Sequence, residues 1–282
     1  MKQQEREHPQ IKELVSYDLL GKYYNPLCPG CGYGIIANCV NRTLLERGGD
    51  LLSYPLITGV GCCCFMPLIL VGNSFYCLHG RALPFATGLK LANPKLKPIV
   101  WSGDGDCLSI GMGHFMHAAR RNVDMVVLLL NNEVYGMTGG QMAPTTSPGV
   151  TTTTTPFGMR EASFDAVRLA IEAGATYVAR WTIDQPFQIA KSFKKALDHR
   201  GFSLIEFISI CPTYRGRLNE LPTPVEMLRR LKADTVPLKD AAGMDAAELE
   251  GKHVVGEFLE RQDRIELSQI YEKLWSERGG EG

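Results

Sequence analysis

The chain has 282 residues, 45% of them hydrophobic and 21% charged, with 30 Lys and Arg against 30 Asp and Glu. A formal net charge of zero removes the electrostatic footprint of a nucleic-acid-binding protein, and the hydrophobic share is enough for a sizeable core instead of a disordered chain. Against a typical ~100–200 residues per domain, the length leaves one large domain with an appendage, or two small ones.

Residues 1–20 form a charged N-terminal segment opening MKQQEREHPQIKE, with no apolar stretch behind it, so neither a secretory nor a transit signal is expected. From residue 21 the pattern becomes regular. Helical spacing over 34–45 places Ile36, Cys39, Val40 and Thr43 on one face, and a strand is expected over 51–59. The longest weakly interrupted apolar run, 60–71, contains Gly61 and Pro67 and falls short of the ~20 residues of a membrane span. A cytoplasmic protein with no membrane contact is therefore expected. A helix over 82–91, a strand over 98–102, a helix over 109–119 and a strand over 125–131 follow. The stretch 135–156, with Gly139-Gly140, several prolines and the run of threonines at 151–155, breaks the rhythm as a long loop, either functional or a disordered surface segment. A helix over 164–173, a strand over 176–181, a helix over 186–197 and a strand over 202–210 complete the alternation. Alternating strands and helices, several strands being continuously apolar, predict an α/β fold with a mostly parallel sheet and helices on both faces. After Cys211 charged residues become dense and four prolines interrupt the chain, so 216–282 reads as an extension and not a second core. Its segment 255–275 has helical spacing and could face its own domain or a partner chain. The expected organisation is thus 1–20, a domain over 21–215, and the extension 216–282.

The strand ending at Ser102 runs into Gly103-Asp104-Gly105-Asp106, and the strand ending at Asn131 runs into Asn132-Glu133-Val134-Tyr135-Gly136. Both motifs fall at carboxyl ends of parallel strands, where ligands gather in open α/β sheets and glycines let backbone approach phosphate. Asp104 and Asn132 would supply a carboxylate and an amide oxygen, hard ligands suited to Mg²⁺ bridging to a diphosphate, and a strand-end carbonyl can complete the set. Each motif alone reads equally well as a turn or a helix cap. Together, at this spacing, they favour a site. Cys28 and Cys31 span a Pro-Gly turn, a Cys-x-x-Cys that serves iron clusters, zinc sites or redox pairs alike. Nine cysteines, an odd and sparse number, point away from a disulfide scaffold and toward such metal or redox chemistry.

Gly-Asp-Gly followed 28 positions later by Asn-Asn resembles the diphosphate motif of thiamine diphosphate enzymes. The strings CPGCGYG (28–34), GVGC (59–62), HGRALPFATGLKLANP (79–94), GDGD (103–106), HAARRN (117–122) and NNEVYGMTGGQMAPTT (131–146) resemble the β subunit of 2-oxoacid:ferredoxin oxidoreductases over roughly residues 20 to 215. The resemblance implies a thiamine diphosphate-binding fold in which Asp104, Asn132 and the Val134 carbonyl hold Mg²⁺. It implies that Gly61, Cys62, Cys63, His79, Gly105, Asp106, Gly136, Met137 and Thr138 line the cofactor, with His79 at the catalytic centre. It also selects Cys62 and Cys211 to join Cys28 and Cys31 around a [4Fe–4S] cluster, which needs four thiolates. Cys39, Cys63, Cys64, Cys77 and Cys107 are left as small buried residues, Cys63 with a possible place in the pocket wall.

The implied reaction is oxidative decarboxylation of a 2-oxoacid to its acyl-CoA and CO₂, with coenzyme A as co-substrate and electrons passing through the cluster to ferredoxin. No second α/β domain follows, so an α subunit is expected to supply the pyrimidine-binding half of the site, with γ and δ subunits as further candidates. For the substrate, Phe65 stands where 2-oxoglutarate-using relatives carry a basic residue. With GGQMAPTTSPG, this favours a branched-chain acid such as 2-oxoisovalerate, 2-oxoglutarate and pyruvate being the alternatives. A non-redox thiamine decarboxylase or synthase would leave the four cysteines idle, and a non-enzymatic iron–sulfur protein would leave Asp104 and Asn132 idle.

Overall fold

A computed structural model describes residues 26–48, 51–70 and 72–278; the N-terminal segment 1–20 and the first residues of the expected domain, 21–25, lie outside the described residues. The elements in chain order are α1 (Tyr33–Arg47), β1 (Leu56–Thr58), β2 (Ser74–Tyr76), α2 (Ala82–Ala92), β3 (Ile99–Gly103), α3 (Met112–Arg120), β4 (Met125–Asn131), a hairpin of β5 (Val134–Tyr135) and β6 (Gln141–Met142), α4 (Ala166–Ala173), β7 (Tyr177–Thr182), α5 (Pro186–Asp198), β8 (Phe202–Ile208), α6 (Pro224–Ala233), β9 (Thr235–Pro237), β10 (His253–Glu260) and α7 (Leu267–Glu277). Eight strands form one sheet in the order β2-β1-β3-β4-β8-β7-β10-β9. Every pairing is parallel except β10 against β7.

The two-residue period of the strands sorts their side chains into two apolar layers. Ile99, Trp101, Val126, Leu128, Leu130, Ile205 and Phe207 face α1 and α5, meeting Ile36, Val40, Ile189 and Phe193. Val100, Val127, Leu129, Phe202 and Leu204 face the other way, onto Leu83, Phe115 and Val167 of α2, α3 and α4. All seven residues of β4 and of β8 are buried, which is why their sequences are mostly apolar instead of alternating, with Asn131, Ser203 and Glu206 as buried polar exceptions. The helices stop and start on local chemistry: Asp165 accepts from Val167 and Arg168 N–H at the start of α4, Gly174 ends it in the left-handed region, and Thr223 and Glu226 close a capping box on α6.

Two expectations need correction, and one strand was not anticipated. The strand over 51–59 shrinks to Leu56–Thr58, because a helical turn at Leu51–Ser53 and then Pro55 precede it. Strand β2 had no sequence signature, since all three of its residues are exposed and it is too short to show a period. Within 255–275 the first part is not helix but the end of β10, where a register shift between Glu257 and Leu259 breaks the strand alternation. The extension builds no core of its own: Met227 and Leu231 join one apolar layer and Leu267 the other, while β9 and β10 widen the existing sheet.

Candidate active site

The carboxyl ends of β1, β3 and β4 converge on a cavity of about 190 Å³ lined by Val60, Gly61, Cys62, Cys63, His79, Gly103 to Asp106, Asn132, Val134 to Thr138 and Tyr33. Every residue expected to hold magnesium or thiamine diphosphate lines it. Asp104 is 2% exposed, and burial pushes its carboxyl up to about 7 despite the Thr145 hydroxyl 2.6 Å away. A carboxylate held dry among neutral donors, the Thr145 hydroxyl and the backbone N–H groups of Asp104 and Gly105, suits a divalent cation that would replace its lost hydration. The Asn132 amide oxygen accepts from Val134 N–H at 3.2 Å, which fixes its direction and leaves one lone pair free. Hard oxygen donors around one cavity fit a magnesium diphosphate.

The glycines make room. A Cβ on Gly105 would fall 2.3 Å from the Tyr135 ring, whose hydroxyl donates to the Gly105 carbonyl at 3.1 Å. A Cβ on Gly136 would lie 3.2 Å from Cys62 Sγ and 3.7 Å from Cys211 Sγ. Downstream of Gly105 the chain enters a π-helical turn, Asp106–Ile110, before α3 begins.

Asp106, which lines the cavity, also joins the segments around it. Its Oδ1 accepts from Gly80 N–H at 2.7 Å and Val60 N–H at 3.2 Å, and Ser102 Oγ donates to its Oδ2 at 2.6 Å. It therefore ties the loops after β1 and β2 to the end of β3, and its oxygens are taken. His79 Nδ1 lies 2.7 Å from the same Oδ1 and 3.1 Å from the Val60 carbonyl. Both neighbours are acceptors, so Nδ1 carries a proton and donates it to them.

A second cavity, of about 290 Å³, adjoins the first and is lined by Cys28, Cys31, Cys62 and Cys211 together with Leu27, Phe65 and Tyr214. Cys62, Asn132, Gly136 and Met137 belong to both cavities. The four thiols arrive from the Pro-Gly turn before α1, the loop after β1 and the end of β8, and they sense one another: burial first, then Cys31, Cys211 and Cys28, push the Cys62 thiol up to about 12. Burial likewise pushes Cys31 up to about 11. Among the described residues no three Cys, His, Asp or Glu side chains close on a single metal ion; four thiols around a cavity suit a larger group such as a four-iron cluster, whose binding would displace their protons. Of the remaining cysteines, Cys39, Cys63 and Cys107 are buried, but Cys64 and Cys77 are partly exposed, contrary to expectation. Phe65 belongs to the thiol cavity and not to the cofactor cavity, so its size and polarity say little about substrate.

Sequence reasoning missed the residues that fasten the Asn131–Val134 turn. Asn131 donates to Glu206 Oε1 at 2.8 Å, and Glu206, 1% exposed, meets Arg180 at 2.6 Å. Glu133 adopts φ +62, and its buried carboxylate meets Arg215 at 2.8 Å. Burial would raise that carboxyl, but Arg215 and His253 outweigh it and hold it below its ordinary range. Thr145 lies in the loop 135–156, close enough to bridge Asp104 and Asn131 at 2.6 and 3.0 Å. That loop is an ordered cover, with Thr145, Thr146 and Thr152 buried.

Comparison with known proteins narrows the chemistry. Residues 59–207 match the thiamine pyrophosphate enzyme C-terminal TPP-binding domain. The 2-oxoglutarate synthase subunit KorB of Methanocaldococcus jannaschii is 44% identical over 273 residues, 96% of this chain and 100% of the relative. The 2-oxoacid:ferredoxin oxidoreductase subunit beta of Saccharolobus solfataricus is 37% identical over 254 residues, 88% of this chain and 82% of that one. Among solved structures, the 2-oxoglutarate:ferredoxin oxidoreductase from Magnetococcus marinus, with 2-oxoglutarate, coenzyme A and succinyl-CoA bound, has a TM-score of 0.84 at 34% identity, covering 97% of this chain and 92% of that chain.

Proposed function

Because the chain belongs to the β subunits of the 2-oxoacid:ferredoxin oxidoreductases and carries their thiamine pyrophosphate-binding domain, we propose that it converts 2-oxoglutarate, coenzyme A and two oxidised ferredoxins to succinyl-CoA, CO₂, two reduced ferredoxins and a proton, working with an α subunit. The observation that carries this reading is the shared wall: the cofactor cavity and the four-thiol cavity have Cys62, Asn132, Gly136 and Met137 in common. Oxidation coupled to decarboxylation needs an electron acceptor beside the reacting centre, and a cluster held by Cys28, Cys31, Cys62 and Cys211 would be that acceptor. Bound in the first cavity, thiamine diphosphate supplies the electron sink for loss of CO₂.

This chain's residues bind and orient. Asp104, Asn132 and the Val134 carbonyl would hold Mg²⁺ and through it the diphosphate; His79, held through Nδ1 by Asp106, has its other ring nitrogen left as a hydrogen-bonding group for cofactor or substrate. The cavity rim is apolar and open, with Val60 42%, Met137 39% and Leu78 79% exposed, which supports a partner subunit covering it and completing the pocket. Isolated, the chain should turn over no 2-oxoacid.

The names of the relatives support 2-oxoglutarate: four of them, 41–45% identical, are 2-oxoglutarate synthase subunits. The branched-chain expectation rested on Phe65, which lines the thiol cavity instead, and on GGQMAPTTSPG with the threonine run; the relatives named for one substrate here are named for 2-oxoglutarate. A panel of 2-oxoacids on the purified assembly, read as coenzyme A-dependent ferredoxin reduction, tests the proposal. The highest kcat/KM should belong to 2-oxoglutarate; a higher value for 2-oxoisovalerate or pyruvate would overturn the substrate assignment.

A further inference from the structure

Two turns meet where the cavities share their wall. One, Asn131 to Val134, carries Asn132 and Val134 on either side of Glu133. The other, Pro212–Gly216, is a π-helical turn that follows Cys211 directly and carries Arg215. Glu133 is a non-glycine residue in the left-handed region, at φ +62, a conformation that persists only when its surroundings hold it. Its carboxylate, 5% exposed, receives Arg215 Nη2 at 2.8 Å and Ser147 N–H at 3.4 Å, with His253 Nε2 4.0 Å away. The Thr146 hydroxyl donates to its carbonyl at 2.6 Å. Arg215 is itself held: Asn219 Nδ2 donates to its carbonyl at 2.8 Å, and the same amide group donates to the Thr151 carbonyl at 2.9 Å. The Arg215 Nε is buried with no hydrogen-bond partner among the described residues, so the guanidinium is committed to Glu133 through its terminal nitrogen even at the expense of an unpaired donor.

We propose that the Glu133–Arg215 ion pair is a positioning pair that fixes the Asn132–Val134 turn against the Cys211–Gly216 turn, so that the cofactor site and the thiol site are assembled as one unit. The inference rests on the reading of those two cavities given above. Neither side chain touches the reacting atoms. Their joint effect is to set the direction of the Asn132 amide and the Val134 carbonyl on one side, and of Cys211 on the other. A residue that orients ligands in this way typically changes metal affinity about 10–100-fold when removed.

The test uses the anaerobically purified assembly with its partner subunits and the variants Glu133→Gln, Arg215→Gln, Arg215→Lys and the Glu133→Gln, Arg215→Gln double variant. Two quantities are read on each: the dissociation constant of thiamine diphosphate in saturating Mg²⁺, and the g-values and reduction midpoint of the cluster. Each neutralising variant should weaken thiamine diphosphate about 10-fold or more and also move the cluster signal, Arg215→Lys should recover part of both, and the double variant should lose less than the product of the single losses. Asp124→Asn, in a buried ion pair at the far edge of the sheet, serves as a destabilised control and should move neither quantity. Thiamine diphosphate affinity within twofold of wild type in Arg215→Gln, or losses in the double variant that simply multiply, would overturn the pair. If the Arg215→Gln assembly does not fold, Glu133→Gln decides: an unchanged cluster signal and thiamine diphosphate affinity in it overturns the proposal. A wild-type assembly without thiamine diphosphate or without iron on this chain would instead overturn the reading of the cavities on which the pair depends.

Discussion

At the scale of single residues, the sharpest test falls on Asp104. Its carboxylate lies at the end of β3, buried, with the Thr145 hydroxyl as its side-chain partner. Asp104→Ala should therefore weaken thiamine diphosphate and Mg²⁺ binding at least about 100-fold while leaving circular dichroism and the unfolding midpoint near wild type, since a dehydrated carboxylate contributes little to stability. Unchanged cofactor occupancy in that variant would sink the metal assignment. Asp104, Asn132 and the Cys28–Cys31 pair were legible in the sequence because each stands in a short motif whose spacing has a chemical reason, whereas Cys62 and Cys211 were selected only by the family resemblance. Glu133, Arg215 and Thr145 were not, because what they do depends on neighbours 13 to 82 positions away, and no local pattern encodes such a meeting. Phe65 shows the converse failure: its identity was plain, but which cavity it enters is a property of the fold.

At the scale of elements, glycine and buried charge decide how the pieces join. Gly30 has φ +77, and a Cβ there would fall 2.2 Å from Pro224 Cγ at the start of α6. Gly30→Ala should cost about 1–2 kcal/mol for the left-handed backbone alone, and the clash should push the Cys28–Cys31 turn off α6. Lower iron content with thiamine diphosphate still bound is the expected result; full iron would show that α6 does not position the turn. At the opposite edge of the sheet, Asp124 binds Lys90 at 2.7 Å and also Lys97, joining the chain before β3 to the chain before β4. Burial raises the Asp124 carboxyl, but Lys97 and Lys90 outweigh it and hold it below its ordinary range. A depressed folded value means the stabilisation is present above the unfolded value of ~3.9 and is lost as pH falls through the folded one. Asp124→Asn should thus lose about 3–5 kcal/mol at pH 7, and its deficit relative to wild type should shrink as the pH drops below about 4. Denaturation at both pH values checks this, and a deficit that stays constant would contradict it. The strands and helices of the central sheet were legible because burial on both faces leaves unbroken apolar runs. Strand β10 was not, since its bulge gave the sequence a helical spacing.

At the scale of the whole molecule, β9 and β10 extend the sheet beyond β7, whereas among the described residues β2 is the last strand at the other edge. Strand β2 leaves Phe75 45% and Tyr76 50% exposed, with the Phe75 ring 4.8 Å from that of Phe85 on α2 and tilted against it. We propose that this exposed apolar edge is where a partner subunit docks. Phe75→Glu should dissociate that subunit, seen by size-exclusion chromatography, and abolish turnover without lowering the unfolding midpoint of this chain; an intact assembly would place the contact elsewhere. The central claim is that one chain holds thiamine diphosphate and a four-iron cluster across a shared wall. Cys211 tests it most directly, because it is remote in sequence from Cys28, Cys31 and Cys62 yet lines the same cavity. The measurement is iron and thiamine diphosphate per β chain, with electron paramagnetic resonance, in anaerobically purified wild type and in Cys211→Ala and Cys39→Ala. The account predicts four irons and one thiamine diphosphate per chain in wild type and Cys39→Ala, and in Cys211→Ala a three-iron signal or none with thiamine diphosphate retained. A full four-iron signal in Cys211→Ala, or its loss in Cys39→Ala, would contradict it.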